Sequence, residues 1–231
     1  MGLNVVMLGA PGAGKGTQAG RFARQRGVPT ISTGDILRQG VKDELPVALL
    51  AKAKMDRGEL VDDKMIVAVV RERLMRSDTD AGFVLDGFPR TVPQARALDA
   101  IIEERGKGPL VVVDIVVPVE DLVSRLAGRR VCSACGTNAA PADGVGTACQ
   151  RCGGTLVQRA DDREEVVLER LRVYTSETMP LVEFYSQRPT FRTLNGAQSP
   201  DRVAQELDAT IDGVTAPAAR DAVEARGTAV R

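Results

Sequence analysis

One stretch near the N-terminus constrains the fold more than any other. Leu3–Leu8 (LNVVML) is an apolar run short enough for a buried parallel strand. Gly9-Ala10-Pro11-Gly12-Ala13-Gly14-Lys15-Gly16-Thr17 follows, and then a helical stretch from Gln18 to Gln25. Strand, glycine-rich loop and helix in that order predict a phosphate cradle, or P-loop. Backbone N–H groups converge on phosphate oxygens, the helix N-terminus adds positive potential, and Lys15 supplies a mobile charge. The usual pattern has Ser or Thr directly after the lysine; here Gly16 intervenes before Thr17. A ligand-free glycine turn would gain little packing from a lysine at this point.

The same rhythm continues along the chain. Val28–Ile31, Gly82–Asp86, Leu110–Val117 and Phe191–Leu194 read as further strands, the third apolar enough to be covered on both faces. Ser32-Thr33-Gly34-Asp35 leads into a helix from Ile36. Helical stripes occupy Asp63–Met75, with Ile66, Val70 and Leu74, and Glu164–Tyr185, with Val167, Leu171 and Tyr174. Strands alternating with helices predict an α/β fold with a parallel sheet covered on both faces. Ligands bind such sheets where the strands end, and the polar motifs cluster there. At 231 residues the chain can bury about 70% of its unfolded surface, so its core needs no covalent staple.

All four cysteines fall in one short segment, as Cys132-x2-Cys135-x13-Cys149-x2-Cys152. Two knuckles of this spacing present four thiolates to one tetrahedral ion, and zinc fits best. Four thiolates leave no position for water or substrate, so the metal is expected to be structural. Between Val131 and Leu156 the chain is mostly Gly, Ala, Ser, Thr and Asp, too poor in apolar residues to hold itself together. The metal would supply that folding energy.

What is missing narrows the chemistry. The chain has no histidine, which excludes a Ser-His-Asp triad, a histidine base and every histidine-containing metal site. It has no tryptophan and only 3% aromatic residues, a poor basis for stacking single-stranded bases. Acidic and basic residues balance at 31 each, which argues against a general nucleic-acid or membrane-surface binder. No apolar run approaches the roughly 18 residues of a membrane span. With no signal-peptide pattern at the start, a cytoplasmic chain is expected.

Taken together, GAPGAGKGT, ISTGDILR, LVDDKMIVAVVRERL, GFVLDGFPRT, PQA and GRR…C-x2-C…QRADD resemble the adenylate kinases, in their zinc-lid bacterial form. The resemblance runs in order from about Val5 to about Val203. It implies a five-stranded parallel core, residues 1–31, 62–127 and 163–213. Two mobile insertions interrupt that core, a nucleoside-monophosphate-binding segment at 32–61 and a zinc lid at 128–162. A tail, 214–231, extends beyond. The implied reaction is ATP + AMP ⇌ 2 ADP with Mg²⁺, by a monomer with no nucleic-acid or membrane partner.

By that resemblance Gly12, Ala13, Gly14, Lys15, Gly16 and Thr17 would hold the ATP phosphates, with Arg129 approaching them and Gln198 beside the adenine. Thr33, Arg38, Glu59, Leu60, Val61, Gly87, Phe88, Pro89, Arg90 and Gln94 would form the AMP site, joined by Arg159 and Arg170. Lys15, Arg90, Arg125, Arg159 and Arg170 would act on the transferred phosphoryl group, and Asp35 and Asp86 would orient Mg²⁺ through its waters. Cys132, Cys135, Cys149 and Cys152 would bind the zinc.

The residues make sense of such chemistry by themselves. Phosphoryl transfer calls for positioning and charge neutralisation, and a phosphate acceptor with a second pKa near 6 is already largely dianionic at pH 7. No general base is needed. Arginine, which supplies 25 of the 31 basic residues, grips phosphate with two N–H groups and never loses its charge. Arg159 and Arg170 lie too far apart for one continuous helix to aim both inward, so Ala160-Asp161-Asp162 is expected to break the chain between them.

In one place the sequence departs from the family. Gly136-Thr137-Asn138-Ala139 follows Cys135 where an aromatic commonly lies near the ATP base, and the interval to Cys149 is short. Three rivals remain at this stage: a CMP or UMP kinase of the same fold, a nucleotide-gated binding switch, and a zinc-ribbon nucleic-acid module. Thr33 and Gln94 favour AMP over the pyrimidine nucleotides. A switch would leave the arginine set unexplained, and a nucleic-acid ribbon would need a more basic lid.

Overall fold

The computed structural model describes residues 2–139 and 147–215. Part of the expected lid, 140–146, and 216–231 of the expected tail lie outside the described residues. The chain runs β1 (Leu3–Leu8), α1 (Lys15–Arg26), β2 (Thr30–Ser32), α2 (Thr33–Lys42), α3 (Pro46–Asp56), α4 (Asp63–Leu74), β3 (Gly82–Asp86), α5 (Val92–Arg105), β4 (Leu110–Val116) and α6 (Val119–Ala127). A hairpin of β5 (Val131–Cys132) and β6 (Leu156–Val157) comes next. The chain then returns through α7 (Glu164–Val173), α8 (Pro180–Ser186), β7 (Phe191–Asn195) and α9 (Pro200–Thr215). The expected α/β fold is present: five parallel strands in the order β2-β3-β1-β4-β7.

The alternation within β1 decides how the sheet is covered. Val6 and Leu8, with Leu85 and Val112 of the neighbouring strands, face a core to which α4, α5 and α8 supply Val70, Leu98, Leu181 and Tyr185. Val5 and Met7 face a second core with Val84, Val113, Ala19, Phe22, Leu207 and Ile211, supplied largely by α1 and α9. Period-2 side-chain placement thus turns one apolar run into the contact surface of two helical layers.

Three boundaries differ most from expectation, and a proline explains two of them. The expected strand Val28–Ile31 is observed at Thr30–Ser32. Pro29 has no N–H to give a ladder and enters it only as an acceptor, from Val84 N at 2.9 Å. The expected helix Glu164–Tyr185 is interrupted. Pro180 cannot donate to the carbonyl four residues back, and its ring would crowd that carbonyl. The backbone widens over Tyr174–Thr178 into a π-helical turn, with Met179 N donating to Tyr174 O at 2.8 Å. The helix expected from Ile36 begins earlier, at Thr33, because Ser32 caps it by accepting from Asp35 N at 3.2 Å.

Candidate active site

The strand ends open into one cleft of about 1060 Å³. β1 delivers the Gly9–Thr17 loop, β2 delivers Thr33 and Asp35, and β3 delivers Asp86, Gly87 and Arg90. Gln198 follows β7. Lys15, Arg38, Arg90, Arg125, Arg129, Arg159 and Arg170, which come from widely separated parts of the chain, all line it. So do Gly12, Ala13, Gly14, Gly16, Thr17, Glu59, Leu60, Val61 and Gln94. Two of the residues expected in the AMP site do not line it. The Phe88 ring is packed in the core at 1% exposure, and Pro89 borders a small adjoining cavity instead.

The loop explains its own departure from the usual pattern. A Cβ on Gly16 would lie 3.0 Å from Asp86 Oδ2, so glycine lets this carboxylate sit against the start of α1. Lys15 Nζ donates to the carbonyl oxygens of Gly9 at 2.8 Å and Ala10 at 2.9 Å. Burial pushes its ammonium down to about 8, against the pull of Asp86 and helped by Arg90, Arg170 and Arg129. Burial likewise lowers Arg90 to about 10, with Arg170 the next cause, and Arg159 to about 10, with Arg38 and Arg129 adding. Cations held this close raise one another's free energy, and a polyanion entering the cleft relieves that repulsion.

Hydrogen bonds hold several of these cations in place. The Gly87 carbonyl accepts from Thr33 Oγ1 and from Arg90 Nε, both at 2.9 Å. The Arg90 N–H donates to Gln94 Oε1 at 2.7 Å, and Gln94 Nε2 donates to Asp63 Oδ1 at 2.7 Å. Arg38 Nη2 donates to Asp35 Oδ1 at 2.5 Å. The fully buried Asp162 carboxylate links two arginines. Arg129 Nε donates to its Oδ2 at 2.7 Å while Arg129 Nη2 and Arg170 Nη1 share its Oδ1, the latter at 3.1 Å. Burial alone would raise the neighbouring Asp161 carboxyl, but Arg170 and then Arg159 outweigh it and hold it low. The expected break between Arg159 and Arg170 is a 3-10 turn over Ala160–Asp162. Gln198 is tied by its side chain to Asn195 O at 3.2 Å and Glu206 Oε2 at 2.8 Å.

Sequence reading missed Asp63 and Asp162 as site residues. Each belongs to an acidic pair at a helix start, where a capping role is the ordinary inference. In the structure Asp62 does the capping, accepting from Lys64 N at 3.0 Å, and leaves Asp63 to hold Gln94. Nothing local in the sequence separates the two.

The four cysteines fit a metal. All four Sγ atoms lie within 4.8 Å of one another. Cys132 and Cys152 are 3.5 Å apart and Cys135 and Cys149 3.8 Å, too far for the roughly 2.05 Å of a disulfide. Four sulfurs about 2.3 Å from one zinc would stand about 3.8 Å apart. The two knuckles repeat one design. Gly136 N donates to Cys132 O at 2.9 Å and Gly153 N to Cys149 O at 2.8 Å, each glycine at a positive φ, 70° and 73°, that lets the chain turn back. Asp35 and Asp86 offer the cleft oxygen ligands of the kind a hard cation such as Mg²⁺ takes.

Comparison with known proteins agrees with this geometry. The sequence profile of the adenylate kinase family matches residues 7–190. The chain belongs to the adenylate kinase family. It is 45% identical to the adenylate kinase of Bacillus velezensis over 219 residues, 92% of this chain and 100% of the relative. It is 45% identical to that of Bacillus subtilis, over 92% and 99% of the two chains, and 43% identical to that of the archaeon Methanosarcina barkeri, over 90% and 98%. Adenylate kinases are phosphotransferases, and the cleft has the P-loop and the clustered arginines that such chemistry uses.

Proposed function

We propose that the chain catalyses ATP + AMP ⇌ 2 ADP, in adenine nucleotide homeostasis and biosynthesis. The observation that carries this reading is the convergence of Lys15, Arg90, Arg159 and Arg170, from four separate parts of the chain, on one cleft. At about 1060 Å³ the cleft is at the top of the range for small-molecule sites, roughly 300–1,000 Å³, and suits two nucleotides rather than one.

In this reading the Gly12–Thr17 loop and Arg129 hold the donor's phosphates, and Arg38 and Arg90 hold the acceptor's. Thr33, Gln94 and the backbone of Glu59–Val61 and Gly87 orient the acceptor nucleoside, Gln198 borders the donor base, and Arg125 joins the arginines on the transferred phosphoryl group. An oxygen of the AMP phosphate attacks the γ-phosphorus in line, and the bond to the bridging oxygen of ADP breaks. No side chain needs to take a proton, because the acceptor arrives as a dianion. Lys15, Arg159 and Arg170 neutralise charge on the phosphoryl oxygens, Lys15 and Arg170 from positions that hydrogen bonds already fix. Bound Mg²⁺ would neutralise the donor's terminal phosphates, its waters held by Asp35 and Asp86. The four cysteines hold a structural Zn²⁺.

Residues 1–31, 62–127 and 163–213 serve as the core, 32–61 as the acceptor arm and 128–162 as the lid. Closing arm and lid together keeps water, the competing acceptor, from the γ-phosphoryl group. No helix among the described residues is long and apolar enough to cross a membrane. Cysteines committed to a metal rather than to disulfides suit a reducing compartment, and we place the enzyme in the cytoplasm as a monomer without nucleic-acid partners.

The test follows ADP formation by phosphorus NMR with ATP, Mg²⁺ and AMP, and in parallel with CMP, UMP or no acceptor. Fast ADP formation with AMP alone is expected. Turnover with CMP or UMP instead would overturn the substrate. No transfer to any acceptor by zinc-replete protein would reduce the P-loop to a binding switch.

A further inference from the structure

Lys42 closes the last turn of α2, in the acceptor arm, and is solvent-exposed. A lysine there ordinarily does no more than complement the helix dipole from any rotamer. Here its Nζ reaches out of the arm and donates to the carbonyl oxygen of Ser133 at 2.9 Å. Ser133 lies between Cys132 and Cys135, in the first cysteine knuckle. Among the described residues this is the one hydrogen bond between the α2–α3 arm and the hairpin, and no carboxylate competes for the ammonium. Its acceptor is held firmly. Ser133 N donates to Thr155 O at 2.9 Å, Cys132 N to Thr137 O at 2.9 Å and Cys135 N to Cys132 Sγ at 3.4 Å. The direction of the Ser133 carbonyl is thus set by the fold of the knuckle, and the knuckle by its four thiolates. Nearby, α3 also packs on the 3-10 turn at Ala160–Asp162, so arm and hairpin meet at two places.

We propose that Lys42 is a clasp through which the acceptor arm senses the metal-held knuckle. Closing the arm on AMP favours the closed hairpin, and a metal-ordered knuckle favours AMP binding. Such coupling is reciprocal: whatever factor the intact knuckle adds to AMP affinity, bound AMP must add to retention of the metal. Lys42 is a positioning residue, since its partner is a backbone carbonyl and not the substrate. The inference rests on the adenylate kinase reading of the cleft.

The experiment compares wild type, Lys42→Met, Lys42→Arg and, as a control, Lys52→Met, whose lysine pairs with Asp56 within α3. KM for AMP and kcat are measured at saturating Mg-ATP, and zinc loss to a colorimetric chelator is timed with and without AMP and a non-hydrolysable ATP analogue. Lys42→Met should raise the KM for AMP by about threefold to fivefold, the range an exposed charged contact supports, with kcat and the zinc content unchanged. The slowing of zinc loss by nucleotides should shrink by a similar factor. Lys42→Arg should restore both, and Lys52→Met should change neither. A Lys42→Met enzyme with wild-type KM for AMP and wild-type protection of zinc would overturn the clasp. If the Met variant does not fold, Lys42→Gln is read by the same criteria. A wild type with no AMP-dependent turnover would sink the adenylate kinase reading instead, a result separable from failure of the clasp.

Discussion

The sheet core and the cysteine hairpin meet at one cleft but gain their rigidity in different ways. The strands β1, β3 and β4 bury long apolar runs on both faces, and Val6, Phe83, Leu85 and Val112 are wholly inaccessible. Among the described residues the hairpin has two strands of two residues each, and its buried cluster consists of Cys132, Cys149 and Leu156 with Ala139 against them. Burial of that size cannot offset the conformational entropy of some two dozen residues at about 1–2 kcal/mol each. A metal held by the four clustered thiolates would do for the hairpin what apolar area does for the sheet. Both parts bring arginines to the one cleft, so the proposed chemistry calls on the second kind of order as much as the first.

The largest expected effect separates function from folding within the core. Lys15→Met should lower kcat about a thousandfold, within the range that removing a phosphate-neutralising cation costs. It should leave the thermal midpoint level or higher, since burial already disfavours the ammonium. A midpoint that falls by many degrees would mean that the Lys15 bonds to Gly9 and Ala10 brace the loop structurally.

Next come paired substitutions that set the two regions against each other. Leu98→Ala, at a site with no exposure, should cost about 2–5 kcal/mol of global stability while the folded fraction keeps its kcat. Cys149→Ser, or chelation, should lower the thermal midpoint by only about 4–8 °C, the worth of ~2 kcal/mol in a domain of this size. It should lower kcat out of proportion, because Arg129 and Arg159 flank the hairpin. Metal-free protein that melts and turns over like the zinc form would end the comparison.

The smallest effect concerns pH. Burial holds the Lys15 ammonium down to about 8, far below an ordinary lysine, and it is charged below that value. Only the charged form attracts the donor's phosphates. The kcat/KM for ATP, which reports the free enzyme, should therefore be level up to about pH 8 and fall up to tenfold per unit above it. A flat profile to pH 10 would show that the lysine leaves its place under the loop more readily than the bonds to Gly9 and Ala10 suggest.

Much of this was legible in the residues. The strand–loop–helix order placed the P-loop, C-x2-C twice over placed the metal site, and apolar runs placed all five strands to within a few residues. The errors lay where one residue acts on distant backbone. Pro180 opens a π-helical turn in what periodicity reads as one helix, and Pro29 moves β2 along the chain. Asp63 and Asp162 read as caps because a sequence cannot say which member of an acidic pair faces a buried arginine or amide. Phe88 sits within a motif that faces the cleft, yet its ring belongs to the core.

By itself, the sequence determined the local conformations and the chemical inventory: where glycines free the backbone, which runs must be buried, which thiols have the spacing to cluster, and that no histidine chemistry is available. Those follow from the preferences of neighbouring residues and from composition. The tertiary structure alone decided which charges meet. That Asp162 joins Arg129 to Arg170, that Asp63 orients Gln94 and that Lys42 reaches Ser133 across 91 positions of sequence depends on strand order and helix placement. Coulombic and hydrogen-bond energies fall off over a few ångströms, so a contact has no energy until the fold has set its distance.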